Sequence, residues 1–363
     1  MNELSLQSYD YDLPHAQIAT EPLERREDAR LLVYYPRTKN IEHHTFDVFE
    51  SLVPRSHALV INDTKVLKAR FFAQKDNGKS VEFLYHHHLD TTHFLAQIRG
   101  RVREGQRFWL GDNLCLVVAK KLDNGLRNLV CLDDSAPLEK PAFLEWLQAH
   151  GQMPIPPYLG RRAHEGEERD YQNPFAQHLG AIAAPTASLH FSPQALERLK
   201  QRYRIAPITL HIGAGTFQPV SAENILEHAM HSEEFCVPKE SAQLFESDTP
   251  LLAIGTTAMR TIEEYARSRR RSGACTLFLH PQNRPKRAHA LLTNFHLPKS
   301  SLLMLVASMI GLGETHRIYG EAIARGYRFY SYGDAMLIAD WDAQSPRHRF
   351  CAFRLSQSSR QRA

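Results

Sequence analysis

An apolar run that breaks on glycine and restarts in polar residues occurs twice in this chain. That repeat narrows the fold more than any other feature. The first instance is ITLHIGAGTFQPV at 208–220 and the second is LLAIGTTAMRTIEEYA at 251–266. Gly213 and Gly215 suit a tight turn after a strand, where backbone passes close to a ligand. His211 and Thr216 then stand at the mouth of that strand, the usual place for chemistry in an α/β sheet. In the second unit Thr256 or Thr257 caps a helix, leaving its first N–H groups for a carboxylate or phosphate. Gly255 is a lone glycine there, so the signal for a nucleotide is weak. Two strand–glycine–polar–helix units predict an enzyme.

Between residues 66 and 133 the texture changes. VLKARFFAQ, SVEFLYHHH, HFLAQIRG, QRFWLG, LCLVVAKKL and LRNLVCL are short β segments separated by turn residues such as DNG and GDN. Regular short strands with such turns indicate an antiparallel barrel or sandwich. On either side, longer strands and helices alternate: strand 57–64, helix 192–203 opened by Ser192 and Pro193, strand 208–213, and helix 221–231. The simplest architecture is an α/β fold, a main α/β domain with an inserted small antiparallel β-barrel domain. The expected boundaries are 1–65 plus 150–355 for the catalytic domain, 66–149 for the barrel, and 356–363 for a frayed polar tail.

At 363 residues and 43 % hydrophobic, the chain has ample material for two cores. A net charge of +4 does not diagnose nucleic acid, although RSRRRSG at 267–273 and NRPKR at 283–287 are basic clusters. Either cluster alone reads as solvated surface; together they hint at phosphate contacts. Cys115, Cys131, Cys236, Cys275 and Cys351 show no paired spacing, which fits a reducing compartment and argues against zinc. His86, His87 and His88 alternate faces on a strand and cannot converge on a metal. The apolar run 302–313 falls short of the roughly 20 residues of a membrane helix and reads as a buried helix. No secretory signal opens the sequence, so a cytoplasmic location is expected. No Walker loop, HExxH, GxGxxG or nucleophile elbow is present.

Several other segments place polar groups at strand ends. GAIAAPTASLHFS at 180–192 is too small-sided to fill a core. Its backbone is pressed against a ligand or another element, and a connecting loop accounts for it equally well. His231 and Glu233 can share a face if their segment is extended, and can serve as acid or base, though an exposed hinge is commoner. Asn62 and Asp63 end an apolar strand as substrate contacts or as a turn into the β insert. Asn294 and His296 precede Pro298, and Asp334 marks a glycine turn. Each alone is more often structural; six such clusters on one framework are the pattern of a composite active site.

Taken together, these segments resemble the S-adenosylmethionine:tRNA ribosyltransferase-isomerase family of queuosine biosynthesis. The resemblance is carried by YDLPHAQIATEPLERREDARLLVY (11–34), LVINDTKVLKARF (59–71), PPYLGR (156–161), AAPTASLHF (183–191), TLHIGAGTFQPV (209–220), MHSEEF (230–235), IGTTAMRTIEE (254–264), LLTNFHLPKSSLLMLV (291–306) and YRFYSYGDAMLI (327–338). It implies an α/β domain carrying a β-barrel. It also implies a reaction in which S-adenosylmethionine, a co-substrate, gives up its ribosyl group. The acceptor is the aminomethyl group of 7-aminomethyl-7-deazaguanine (preQ1) at the wobble position of a tRNA anticodon loop. Sulfonium charge acidifies the C5′ protons, a base removes one, adenine and methionine leave, and epoxyqueuosine results. No prosthetic group or metal is implied, and a monomer is expected.

On this resemblance His190, His211, His231 and Glu233 are the acid–base candidates. Arg260 with Gly255, Thr256 and Thr257 would hold the methionine carboxylate. Asn62, Asp63, Asn294, His296 and Asp334 would serve sugar and base, with Thr186, Gly213 and Gly215 also on the donor. Arg161, Arg162, Arg269, Arg270 and Arg271 would hold RNA backbone. The sequence departs from the family at Ala181 and Ser188, at Pro174, at Ala258-Met259, and most of all at 280–290, where HPQNRPKRAHA replaces a Pro-Gly-Tyr-x-Phe stretch. A remodelled acceptor surface is expected there. Two alternatives are a paralogue using the same donor on a non-tRNA amine, and a non-catalytic RNA-binding homologue. For the latter the barrel offers few aromatics, since Phe71, Phe83, Tyr85, Phe94 and Trp109 read as core.

Overall fold

The computed structural model describes residues 2–341 other than 112, 124, 162, 165, 218 and 219. The expected tail, Cys351 and Arg162 lie outside the described residues. A nine-stranded sheet organises the chain. Its parallel heart is, in spatial order, Arg204–Leu210, Ala58–Asn62, Leu251–Ile254 and Ala290–Asn294. Glu233–Cys236 and Ser272–Cys275 extend one side in antiparallel fashion. On the other side Ala335–Ile338 runs antiparallel to Ala290–Asn294, followed by Arg30–Tyr35 and Asn40–Thr45.

Strands buried on both faces read as continuous apolar runs, which is why 58–62, 251–254 and 290–294 show no alternation. Successive side chains still point to opposite faces. Leu59, Ile61, Leu252 and Ile254 pack with Phe191 and Leu199. Val60, Leu251 and Ala253 pack with Met259, Ile262, Met304 and Val306 from the helices Thr256–Ser268 and Ser301–Ile310. The cap expected at Ser192 forms, its hydroxyl accepting the Ala195 N–H at 3.1 Å, and the Ser300 hydroxyl likewise accepts that of Leu303 at 3.2 Å. Among the described residues no helix is long and apolar enough to cross a membrane.

Six antiparallel strands, Arg70–Gln74, Ser80–His88, His93–Ile98, Arg107–Trp109, Leu114–Lys121 and Arg127–Asp133, close into a barrel, because the last two pair with each other as well as with the ends of the row. Closure leaves no sheet edge among these strands. The interior holds Phe71, Phe83, Tyr85, Phe94 and Phe108. The helix Lys140–His150 plugs it with Phe143, stacked on Phe94 at 4.3 Å between centroids. Trp109 departs from the expectation of a core residue: it is outward-facing and 36 % exposed, with its indole N–H on Asp76. A short parallel pair, Thr64–Val66 with His178–Ala181, joins barrel to sheet.

The expected helix over 221–231 does not form; one 3-10 turn, Ile225–Glu227, is all that appears. The N-terminal segment takes its backbone groups instead. Leu6 N–H bonds the Glu223 carbonyl and Ile225 N–H bonds that of Leu4, so a long-range pairing displaces the local helix.

Candidate active site

Because four strands run parallel, residues 62, 211, 255 and 294 emerge at one end of the sheet. Ligands of open α/β sheets bind outside these carboxyl ends. Here a cleft open to solvent is lined by residues 183–187, Ile212 and Thr216, Glu233, residues 255–257 with Arg260, then Thr293, Asn294 and His296, and finally Tyr330 and Ser331. Tyr171 and Leu302 complete it.

A buried ion pair forms one wall. The Arg260 guanidinium bonds the Glu233 carboxylate and also donates to the Leu277 carbonyl at 3.1 Å and the Cys275 carbonyl at 3.4 Å. The Gly213 N–H donates to Glu233 Oε1 at 3.0 Å, and His231 Nε2 lies 3.1 Å from the same oxygen. Burial pushes the Glu233 carboxyl up, but Arg260, His231 and the amide outweigh it, so it sits below the usual range. Burial likewise opposes the Arg260 charge, and Glu233 overrides that too. Gly215 makes the geometry fit: a Cβ there would come within 2.7 Å of the His231 ring.

The opposite wall is uncharged. Thr186 Oγ1 donates to Asn294 Oδ1 at 2.9 Å, and Asn294 Nδ2 meets His190 Nε2 at 3.1 Å. His190 therefore stands behind Asn294, its ring 5.0 Å from that of Phe46, and lines a smaller adjoining pocket rather than the cleft. His296 lines the cleft, with Nε2 2.8 Å from Thr293 Oγ1. Burial drives both imidazoles down to about 3, so both are neutral at ordinary pH. The helix Thr256–Ser268 starts on Gly255, at φ +94° with no side-chain cap, and so presents uncapped first-turn N–H groups beside Thr256 and Thr257.

Other expected site residues fall outside the cleft lining. Asn62 is fully buried and spends its amide on the strands: Nδ2 donates to the Leu210 carbonyl and Thr257 Oγ1, and Oδ1 accepts from Thr64 and Leu210 N–H. Asp63 accepts the Thr209 hydroxyl at 2.6 Å, and burial raises its carboxyl. His211 turns to the barrel seam, with Nδ1 2.8 Å from Thr64 Oγ1 and its ring flush on Gly180. Asp334 ties two strands by accepting the N–H groups of Arg30 and Arg328. Arg269, Arg270 and Arg271 follow the C-terminus of a 13-residue helix, about 20 Å from its start at the cleft.

Tyr171, Thr293, Tyr330, Ser331 and Leu302 line the cleft and were not singled out from the sequence. Tyr330 carries a signal that only backbone geometry reveals: φ is +74°, a left-handed conformation unusual for tyrosine, and such strain gathers at functional sites. Burial pushes its phenol up to about 12.

The unusual 280–290 segment is not at the cleft either. It enters the strand Ala290–Asn294 at the end opposite Asn294. The buried Glu263 carboxylate accepts the N–H groups of Lys286, Arg287 and Ala288 at 2.7 to 2.9 Å and pairs with Arg267. Arg287 in turn donates to the carbonyls of Leu244, Phe245, Ser247 and Thr249, fastening the end of the helix Lys239–Glu246. These bonds clamp the 280–290 backbone, and none of its residues lines the cleft. Ala181, Ser188 and Pro174 are likewise absent from the cleft lining.

Among curated proteins, one from a Nitratiruptor species named S-adenosylmethionine:tRNA ribosyltransferase-isomerase is 46 % identical over 338 residues, 93 % of this chain and 99 % of that protein. One of the same name from Aliarcobacter butzleri is 45 % identical with the same coverage. The crystal structure of an S-adenosylmethionine tRNA ribosyltransferase from Thermotoga maritima matches with a TM-score of 0.50 at 32 % identity, covering 91 % of this chain and 99 % of that one. The family described as queuosine biosynthesis protein matches residues 6–338. With its barrel, its sheet and the order of its motifs all accounted for, the chain belongs to the queuosine biosynthesis protein family.

Proposed function

We propose that the protein is an S-adenosylmethionine:tRNA ribosyltransferase-isomerase acting on preQ1 at the wobble position of a tRNA anticodon loop. The observation that carries this reading is convergence: six motif segments far apart in sequence line one cleft. None of the departures at 174, 181, 188 or 280–290 lines it, which favours tRNA over another amine acceptor. An unpaired base can be splayed out of an anticodon loop to reach such a site.

In this reading the methionine carboxylate meets the first-turn N–H groups at Thr256 and Thr257, with the Arg260 charge behind them. Thr186 and Asn294 offer hydrogen bonds to the nucleoside. Neutral imidazoles at His190 and His296 add no positive charge beside a sulfonium donor. His231, oriented by Glu233, is the base for the C5′ proton, since these are the two acid–base candidates at the charged wall. Tyr330, whose phenol keeps its proton at neutral pH, can donate to departing adenine.

The test uses purified protein, S-adenosylmethionine and a preQ1-bearing anticodon stem-loop. Mass spectrometry should show the epoxycyclopentanediol adduct, with adenine and methionine released in equal amounts. His231→Ala should lower the rate by about 10²- to 10⁴-fold. Unmodified RNA with the wild-type protein rejects the reading.

A further inference from the structure

The outer wall of the barrel carries aromatic and charged surface that the cleft does not use. Phe72 lies between the inward residues Phe71 and Ala73, so the pleat turns it to solvent, where it is 40 % exposed. Burying such a ring inside a barrel is favourable, and an outward phenylalanine forgoes part of that gain. It borders an open groove lined by Arg70 and Arg99, which share the Glu82 carboxylate, and by Arg161, which pairs with Glu21 and Glu167. Arg99 is 83 % exposed and reaches Glu82 at 3.4 Å, a pairing that solvent screens.

The surface continues past Gly100 into a second open groove, where Lys75, Arg101, Arg103, Lys121 and Arg127 face only Glu104. Among the described residues no carboxylate lies within ion-pair distance of Arg101, Arg103 or Lys121. Cations gathered without counter-charges raise the local potential at some cost to the fold, and so favour an anionic partner. At its other end the band reaches the cleft. Glu167 takes the Arg161 guanidinium at 2.5 Å and the Tyr332 hydroxyl at 2.6 Å, next to the cleft residue Ser331. Tyr158 packs edge-on against the cleft residue Tyr330 at 4.2 Å.

We propose that this band is the seat of the RNA strand that flanks the modified nucleotide: its guanidinium and ammonium groups hold phosphates, and Phe72 stacks on an unpaired neighbouring base. An aromatic face set in a basic groove is what single-stranded nucleic acid requires, because every base has a π-face and every linkage a charge. An acidic protein partner would share the charges but leave the planar ring without a planar counterpart. The inference rests on the functional reading above.

The experiment measures RNA affinity by fluorescence anisotropy across a salt series, and steady-state turnover, with the full-length enzyme and the preQ1 stem-loop. Phe72→Ala should weaken binding and raise the KM for RNA about tenfold, the order of one base stack. Its kcat at saturating RNA and its KM for S-adenosylmethionine should stay within about twofold of wild type, and Phe72→Trp should restore affinity. Replacing Arg101 and Arg103 together by Ala should flatten the slope of log K against log salt by between about 1 and 2. Circular dichroism and thermal midpoints confirm that each exposed-residue variant is folded. Normal RNA affinity in Phe72→Ala, or an unchanged salt slope in the double variant of an enzyme that does modify the RNA, overturns this inference alone. Failure of the wild-type enzyme to modify the RNA removes the functional reading and this inference with it.

Discussion

Lowering the pH from 7 to 5 should cost this protein about 4 kcal/mol of stability through two side chains, His190 and His296. Both imidazoles are fully buried against the uncharged wall and are held down to about 3 in the folded chain. In the unfolded chain each returns to about 6.5. The unfolded state therefore binds two protons that the native state refuses between roughly pH 6.5 and pH 3. Stability rises with pH through that window and is lost as pH falls. At pH 5 the gap is about 1.5 pH units below the unfolded value, worth about 2 kcal/mol for each ring. Against a typical total of roughly 5–15 kcal/mol this is a large share. Urea denaturation of wild type, His190→Gln and His296→Gln at pH 7, 6 and 5 tests the point. Each variant loses its own titrating ring but keeps a polar amide for Asn294 or Thr293. Each should then lose about 2 kcal/mol less than wild type between pH 7 and 5. Equal losses in wild type and both variants, or an imidazole NMR titration of either ring near pH 6 in the folded protein, would refute the argument. Either outcome would also remove the case that the donor sulfonium meets neutral histidines.

Two further expectations concern charge. Glu233→Gln places an amide donor against the Arg260 guanidinium and leaves that charge buried without its partner. It should destabilise by roughly 3–5 kcal/mol in thermal or urea unfolding, and removing both charges in Glu233→Gln/Arg260→Met should recover part of the loss. Glu263→Ala orphans the N–H groups of Lys286, Arg287 and Ala288 and should cost about 3 kcal/mol or more, while kcat/KM for RNA measured at low temperature stays within about twofold. A selective loss of RNA turnover in a stable variant would instead place 280–290 at the acceptor.

Much of the architecture was legible because periodicity reports burial. The six barrel strands were marked by turn residues at regular spacing, and the apolar runs ending at Asn62 and Gly255 read as strands. Helix 221–231 failed for a reason no local rule contains: its backbone partners come from residues 4 and 6. The outward turn of Phe72 and Trp109 was likewise invisible, since deciding which member of a strand faces in requires the register of its neighbours.

What the sequence determined by itself is the set of strand-end motifs: glycine turns, capping residues and small-residue runs encode local backbone shape, and local shape follows from nearby residues. Which of their polar groups meet in the cleft was decided only by the tertiary structure. Glu233, Arg260, Asn294 and His296 come together there with His231 set against Glu233 behind the lining, while His211 turns to the barrel and Asn62 is consumed between strands. The physical reason is that a side chain's protonation and purpose depend on what surrounds it. Burial, a guanidinium across a 27-residue gap, or an amide from a distant loop are properties of the packed molecule and not of any stretch of chain.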